Sequence, residues 1–413
     1  MMRPRVVMGL LLLFALIWAL LLPGRLAIPA IETFSSDAGD YHAGAVHLLQ
    51  EGMYSLDGTT PTVAREPGQS VFLAFIYAFF GIGNRIALFA VQGILVACSA
   101  WVFARQLARI SSPRVGELFL LILFLLPSVY HSIFSALRES LALSLLMLVA
   151  SGLLCLLHRP TWRTTTLTGL LLGCLLLTYA PYLLLPLFLV PFLLLLRLRV
   201  SHLIVLCIIP LLFAAAWGYR NAGVTGEACL TGCSRAAAAW YVRGEQAEQI
   251  SGFEPVRCLW AEYISRDWST VSFACSFNAV KNTKWPEGVP GDSSAIAAGK
   301  SGQQKILQHF GNYLWFSVFE IVELHLPFVD GWGRTYNVTV SIAMVLLYAG
   351  CLLALPCLRR REFLVLFALI AYTTGIFILT DATPRYLIPV IFCYAAVAAI
   401  GYNRLLTRFL CHP

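Results

Sequence analysis

The side chains best suited to chemistry are a few carboxylates and guanidinium groups scattered along an otherwise apolar chain. Asp37 and Asp40 fall three residues apart in Ser36-Asp-Ala-Gly-Asp-Tyr41, with His42 and His47 close behind. Arg65 and Glu66 sit in Pro61-Thr-Val-Ala-Arg-Glu-Pro-Gly68, and Arg85, Arg138, Arg220 and Arg385 recur where apolar runs end. A positioned carboxylate can take the proton of an attacking hydroxyl, worth about 10²–10⁴ in rate. Guanidinium groups can grip a phosphate with paired hydrogen bonds and stabilise it as it leaves. Each residue also has a plainer reading. Asp37 stands where a helix N-cap belongs, with Asp40 completing a capping-box spacing. A lone arginine at a membrane boundary commonly snorkels to lipid headgroups.

The elements that must position these groups are membrane helices. Of 413 residues, 59% are hydrophobic and 12% charged, with a mean hydropathy of +0.77. A soluble domain carries about 25% charged residues, so a water-soluble enzyme, a disordered chain and a coiled coil are excluded. A crossing helix needs about 20 mostly apolar residues. Ten spans are expected: Val6–Leu22, Asn84–Ala108, Gly116–His131, Glu139–Leu157, Thr164–Pro181, Tyr182–Leu196, His202–Tyr219, Val338–Leu358, Glu362–Leu379 and Tyr386–Tyr402. The fifth and sixth are parted at Thr178-Tyr-Ala-Pro-Tyr182, where Pro181 can end one helix and open the next. Val71–Phe80 is too short to cross and reads as a re-entrant or interfacial helix. Tyr41, Ala45 and Leu48, with Val46 and Leu49 beside them, make the preceding segment a short amphipathic helix on the membrane surface.

Ten spans put both termini on one side, and the short basic loops orient them. Arg3, Arg5, Arg105, Arg109, Arg114, Arg159, Arg163, Arg197, Arg199, Arg359, Arg360, Arg361, Arg404 and Arg408 share the N-terminal side with only Glu117 and Glu362. That side is therefore cytoplasmic, and the net charge of +8 is a topology signal that leaves nucleic-acid binding without support. Arg3 and Arg5 before an apolar run, with small residues near Ala27–Ala30, also match a cleaved signal peptide. A first outer loop tied to its membrane neighbours favours a retained span.

Three parts follow: residues 1–220, a transmembrane module containing the outer loop 23–83; residues 221–337, an extracytoplasmic insertion of mixed polarity; and residues 338–413, the last helices. The insertion holds Cys229, Cys233, Cys258 and Cys275 of the twelve cysteines, an even set that favours two disulfides. Four free thiols remain the alternative, and the spacing lacks the two CxxC pairs of a zinc site. Glu320, Glu323 and His325 fit an interfacial helix better than a metal site, and Trp315 and Trp332 fit an aromatic belt.

The loop-one residues also carry a resemblance. Asp37 with Tyr41, Leu48-Leu-Gln-Glu-Gly-Met-Tyr-Ser55, Pro61-Thr62, Arg65-Glu-Pro-Gly68 and Phe72-Leu-Ala-Phe-Ile-Tyr-Ala-Phe-Phe-Gly81 resemble the first outer loop of polyprenyl-phosphate-dependent C-type glycosyltransferases. These include the protein O-mannosyltransferases and the lipid A aminoarabinose transferases. Trp217-Gly-Tyr-Arg-Asn221 and Pro384-Arg-Tyr-Leu-Ile-Pro389 agree with bacterial members. The resemblance implies an all-α, polytopic fold and an inverting transfer from a polyprenyl phosphate or diphosphate to a hydroxyl on a lipid, glycan or protein. The reaction would lie on the outer face of a bacterial cell membrane. The family's loop-one aspartate maps onto Asp37 as base, and Asp40 is the nearest second carboxylate. Phosphate contacts map onto Arg65 and Arg385, then Arg138 and Arg220, with Tyr41, Glu66 and Tyr386 beside them in the matching motifs. No cofactor is required on this reading. Glu139 would help hold a divalent ion such as Mg or Mn, or else simply pair with Arg138. Two departures stand out: Arg65-Glu-Pro replaces the Lys-Pro-Pro of the aminoarabinose transferases, and Thr178-Tyr-Ala-Pro181 lacks an arginine common in relatives.

Two other functions fit the same composition. A lipid-linked glycan polymerase or ligase would use similar arginines but place its key loop late in the chain. A polyprenyl-lipid transporter or flippase would bind near the bilayer midplane through buried ionisable groups. Here the ionisable residues gather at span ends, which favours interfacial chemistry.

Overall fold

The computed structural model describes residues 2–34, 37–226, 228–230, 233–249, 292–325, 333–357, 363–380 and 384–411. Among these, all regular structure is helical, and the only strand-like pairing is an isolated bridge between Ser55 and Pro61. The chain divides into two compact units: residues 1–228 with 343–372 and 388–413, and residues 229–342 with 373–387.

The first unit opens with α1 (Pro4–Ala27), the short α2 (Ala30–Thr33), α3 (Asp37–Gln50) and α4 (Pro67–Phe80). Then come α5 (Arg85–Ile110), α6 (Pro113–Leu125), α7 (Pro127–Ile133), α8 (Glu139–His158), α9 (Trp162–Thr178), α10 (Leu185–Leu195) and α11 (Val200–Thr225). Start signals are local: Asn84, Ser112 and Thr161 accept hydrogen bonds from the backbone N–H three residues on and cap α5, α6 and α9.

The expected spans fall on helical segments only in part: Thr164–Pro181 runs past the end of α9 at Thr178, and Tyr182–Leu196 opens in a 3-10 turn and continues as the 11-residue α10. Among the described residues, five helices are long and apolar enough to cross a bilayer, and six if a bent pair counts as one. The bent pair corrects the single span expected over Gly116–His131. α6 and α7 meet at 64°, because Pro127 forces Leu126 into an extended conformation and withholds an N–H from the helix. α5 packs on α6 and α8, α8 on α9, and α9 on α11. α1 lies against this group through Phe14, whose ring is 4.6 Å from that of Phe124 and 5.5 Å from that of Tyr130.

α4 is a 14-residue helix, as its length suggested. Leu73, Ile76 and Tyr77 are buried, while Val71, Phe75 and Phe79, four apart, form an exposed apolar stripe. Such a stripe suits contact with acyl chains rather than water. α3 packs on α4. The buried side of α3 is Ala38, Tyr41, Gly44 and Ala45, turned from the expected stripe, and Leu49 is exposed. Gly44 explains the rotation: a Cβ there would lie 2.8 Å from the Tyr54 ring and 2.9 Å from the Ser70 hydroxyl.

In the second unit α12 (Cys233–Gln249) packs on α13 (Asp292–Gln308), with Lys305 bridging Glu245 at 2.6 Å and Glu248 at 2.5 Å. α14 (Phe310–His325) follows, and Asn312 donates to the Ala247 carbonyl. α15 (Gly333–Ala354), α16 (Phe363–Thr380) and α17 (Ile391–Cys411) complete the chain, and α17 packs on α6. Cys258, Cys275 and Trp332 lie outside the described residues, as do the side chains of Cys233, Glu320 and Glu323, so the expected disulfides and acidic pair fall there too. The His325 ring sits 2.7 Å from the carbonyl of Ile321 in its own helix.

Candidate functional site

The two loop-one aspartates share one arginine. Arg65 Nε donates to Asp40 Oδ2 at 2.8 Å, and its Nη2 donates to Asp37 Oδ1 in a shorter contact. Asp37 and Asp40 sit three apart in the first turn of α3, so both carboxylates project from one side of the helix. Arg65 arrives from the end of the same loop, its side chain only 9% exposed, against 26% and 34% for the aspartates. The carboxylates thus keep a solvent-facing aspect that the guanidinium lacks. Burial pulls the Arg65 pKa down, but the charge of Asp37 and the hydrogen bonds to both aspartates outweigh it and hold the pKa above its usual value.

Tyr41 lies at the centre. Its ring is 5.5 Å below the Arg65 guanidinium, and its phenol feels Arg138, Glu66, Arg65 and Glu139. Burial pushes that phenol well above its ordinary range, so it stays a neutral donor. Tyr54 is likewise raised by burial, to about 12, and its hydroxyl faces the carbonyls of Arg65 and Glu66 at 3.3 Å each.

Glu66 joins three segments. Its Oε2 accepts from Arg138 at 2.6 Å, and its Oε1 accepts from the Ala180 N–H at 3.0 Å. That N–H opens the turn after the break at Tyr179, where the helical pattern leaves donors unsatisfied. Arg138 stacks 4.0 Å from the centre of the Tyr179 ring, and Gln69 donates to the Ala136 carbonyl at 3.0 Å. Burial disfavours the Arg138 charge, yet Glu66 foremost keeps its pKa well above the usual value. Gly68 permits the approach: a Cβ there would be 2.8 Å from the Leu177 carbonyl. Arg220 donates to the Thr62 carbonyl at 2.5 Å, its guanidinium 4.9 Å from the Trp217 ring and 5.8 Å from that of Tyr54. Arg85 anchors the loop's other end through the carbonyls of Ile28 and Leu26.

These contacts join loop one to the connections after α7 and α9 and to the last turns of α11. At the opposite end Arg3 pairs with Glu117 at 2.6 Å, tying the N-terminus to the start of α6.

No protein-family model matches the sequence, and no curated protein matches it. Among solved structures, the chain is similar to the archaeal oligosaccharyltransferase AglB from Archaeoglobus fulgidus, in complex with an inhibitory peptide and a dolichol-phosphate. The TM-score is 0.49 at 12% identity, over 90% of this chain and 46% of that one. The chain therefore spans less than half the length of that protein. It is also similar to ArnT from Cupriavidus metallidurans bound to undecaprenyl phosphate (TM-score 0.42, 12% identity, 96% of this chain and 78% of that one). The apo state of the same protein gives 0.38 at 14% identity, over 94% and 77%.

Asp37, Asp40, Tyr41, Arg65, Glu66, Arg138 and Glu139 come together in the first unit, with Arg220 bracing the loop. Arg385 and Tyr386 fall in the second unit, where the Arg385 guanidinium lies 5.1 Å from its neighbour's ring and Tyr386 stacks on Phe377 at 4.6 Å. Among the described residues no three His, Cys, Asp or Glu side chains come together to hold a metal ion. Glu139 is 3% exposed and lies in the field of Arg138, a poor setting for a second cation. The sequence reading overlooked Tyr54, Tyr179 and Gln69 as parts of the site. The proline break at Tyr179-Ala-Pro181 was the available signal, since a broken helix exposes backbone donors that something must satisfy.

Proposed function

We propose that the chain is a membrane glycosyltransferase that passes a sugar from a polyprenyl phosphate or diphosphate to a hydroxyl, with inversion, on the outer face of a cell membrane. The observation that carries the proposal is the pair of part-exposed carboxylates gripped by one buried guanidinium, in the loop whose motifs resemble that family. Asp37 takes the hydroxyl proton as the acceptor oxygen attacks the anomeric carbon. The bond from that carbon to the phosphate oxygen breaks, and the electron pair leaves with the lipid phosphate. Asp40 shares Arg65 with Asp37 and keeps the guanidinium aligned. Arg65 and Arg138 supply fixed positive charge beside the departing anion, which costs no reorganisation during the step. The basic loops at the opposite end favour a cytoplasmic location for both termini. No step is routed through a metal.

The test uses the purified full-length protein with a polyprenyl-phosphate-linked sugar and an acceptor alcohol. Wild type should release polyprenyl phosphate, while Asp37→Asn should retain donor binding and release none above background. Turnover by Asp37→Asn at the wild-type rate overturns the base assignment. Mass spectrometry of the lipid that co-purifies with the chain tests the donor class separately.

A further inference from the structure

A second site lies at the other end of the first unit, where the sequence reading assigned only a topology signal. A cavity of about 550 Å³ opens between the start of α1 and the last turns of α5. Its apolar wall includes Val7, Met8 and Leu11; Trp101, Arg105 and Arg109 also line it, and no acidic residue does. Arg105 lies 5.0 Å from the Trp101 ring, and Arg109 donates to Gln106 at 3.2 Å.

The order of these groups along the helix axes matters. Helices rise about 1.5 Å per residue. Arg109 and Arg105 therefore occupy the end of α5, with Trp101 about 6 Å deeper, the arrangement expected across a headgroup boundary. On α1, Leu11 lies about 10 Å deeper than Pro4, so one cavity grades from guanidinium groups at its rim to hydrocarbon at depth. A free inorganic anion would gain nothing from that wall. A fully apolar ligand would gain nothing from the arginines, whose planar forks suit phosphate oxygens. Arg3, just before α1, is paired with Glu117, and Arg105 and Arg109 are the cations that line the cavity.

We propose that this cavity binds one anionic glycerophospholipid, its phosphate on Arg105 and Arg109 and the upper part of an acyl chain against Val7, Met8 and Leu11. Basic pockets between transmembrane helices bind anionic headgroups in this way. The proposal is independent of the transfer reaction, since the lipid is held at the opposite end of α5 from Arg85.

The experiment delipidates the full-length protein in an uncharged detergent and measures binding of phosphatidylglycerol, phosphatidylcholine and inorganic phosphate by native mass spectrometry and thermal unfolding. One phosphatidylglycerol should bind per chain and raise the unfolding midpoint, with phosphatidylcholine weaker and phosphate without effect. Arg105→Ala with Arg109→Ala should weaken phosphatidylglycerol roughly thirtyfold. Arg159→Ala with Arg163→Ala, exposed on the same side but outside the cavity, should leave it unchanged. Val7→Trp, which fills the apolar wall, should also abolish the bound lipid while keeping both arginines. The proposal is overturned by equal loss in the Arg159/Arg163 variant, by equal binding of phosphatidylcholine, by full competition from phosphate, or by unchanged binding in Val7→Trp. If the double arginine variant does not fold, the Val7→Trp result decides alone.

Discussion

Two arginine–carboxylate pairs stand at opposite ends of the first unit, and their surroundings differ more than their chemistry. Arg3 reaches Glu117 from the chain terminus with its side chain 68% exposed. Arg65 is almost fully covered and serves two aspartates 25 and 28 residues away. In the first pair water screens the cation, but its carboxylate partner is only 6% exposed, the reverse of the loop-one arrangement. The covered arginine cannot leave its carboxylates without being stranded in a poorly solvated place, so the three groups hold a fixed geometry. Ion-pair chemistry alone does not mark a site. Desolvation of the cation combined with residual exposure of the anions does.

Removing one carboxylate charge from each end sharpens that contrast. Asp37→Asn should lower sugar transfer by about 10²–10⁴, read as polyprenyl phosphate released per minute, while Glu117→Gln should leave transfer unchanged. Equal losses in the two variants would erase the distinction. Glu66→Gln weakens the support beneath the covered end by leaving Arg138 uncompensated, and should cost about 3 kcal/mol in denaturant unfolding. Gly68→Ala should cost about 1–3 kcal/mol by crowding the Leu177 carbonyl, measured in the same way.

A smaller effect concerns pH. His42 stacks on Phe34 at 4.2 Å and meets the Tyr77 hydroxyl at 2.8 Å, and burial lowers its pKa. The folded state therefore binds this proton less readily than the unfolded state. Stability from His42 is full above the ordinary value of 6.5 and declines as the pH falls below it. His42→Gln should flatten that part of the unfolding profile.

Much of this was legible in one dimension. Long apolar runs dictate helices whatever their neighbours, because a backbone in hydrocarbon must satisfy its own hydrogen bonds. The short α4 followed from its length, and Asp37, Asp40 and Arg65 could be grouped from their company in one loop, which the shared ion pair matches. The bend at Pro127 was also written in the chain, but an uninterrupted apolar count concealed it. What local pattern could not supply was partnership. Glu66 was grouped with donor-binding residues from its motif, yet its carboxylate is taken up by Arg138 and the Ala180 N–H, 72 and 114 residues away.

Sequence by itself therefore determined the solvent this chain lives in and the helices it must form, since hydropathy and backbone hydrogen bonding are local quantities. Tertiary structure alone decided that one arginine answers two aspartates and that Tyr41 sits among four charged groups. Those facts depend on which connections meet at the membrane surface, and that is set by helix packing over separations no spacing rule reaches.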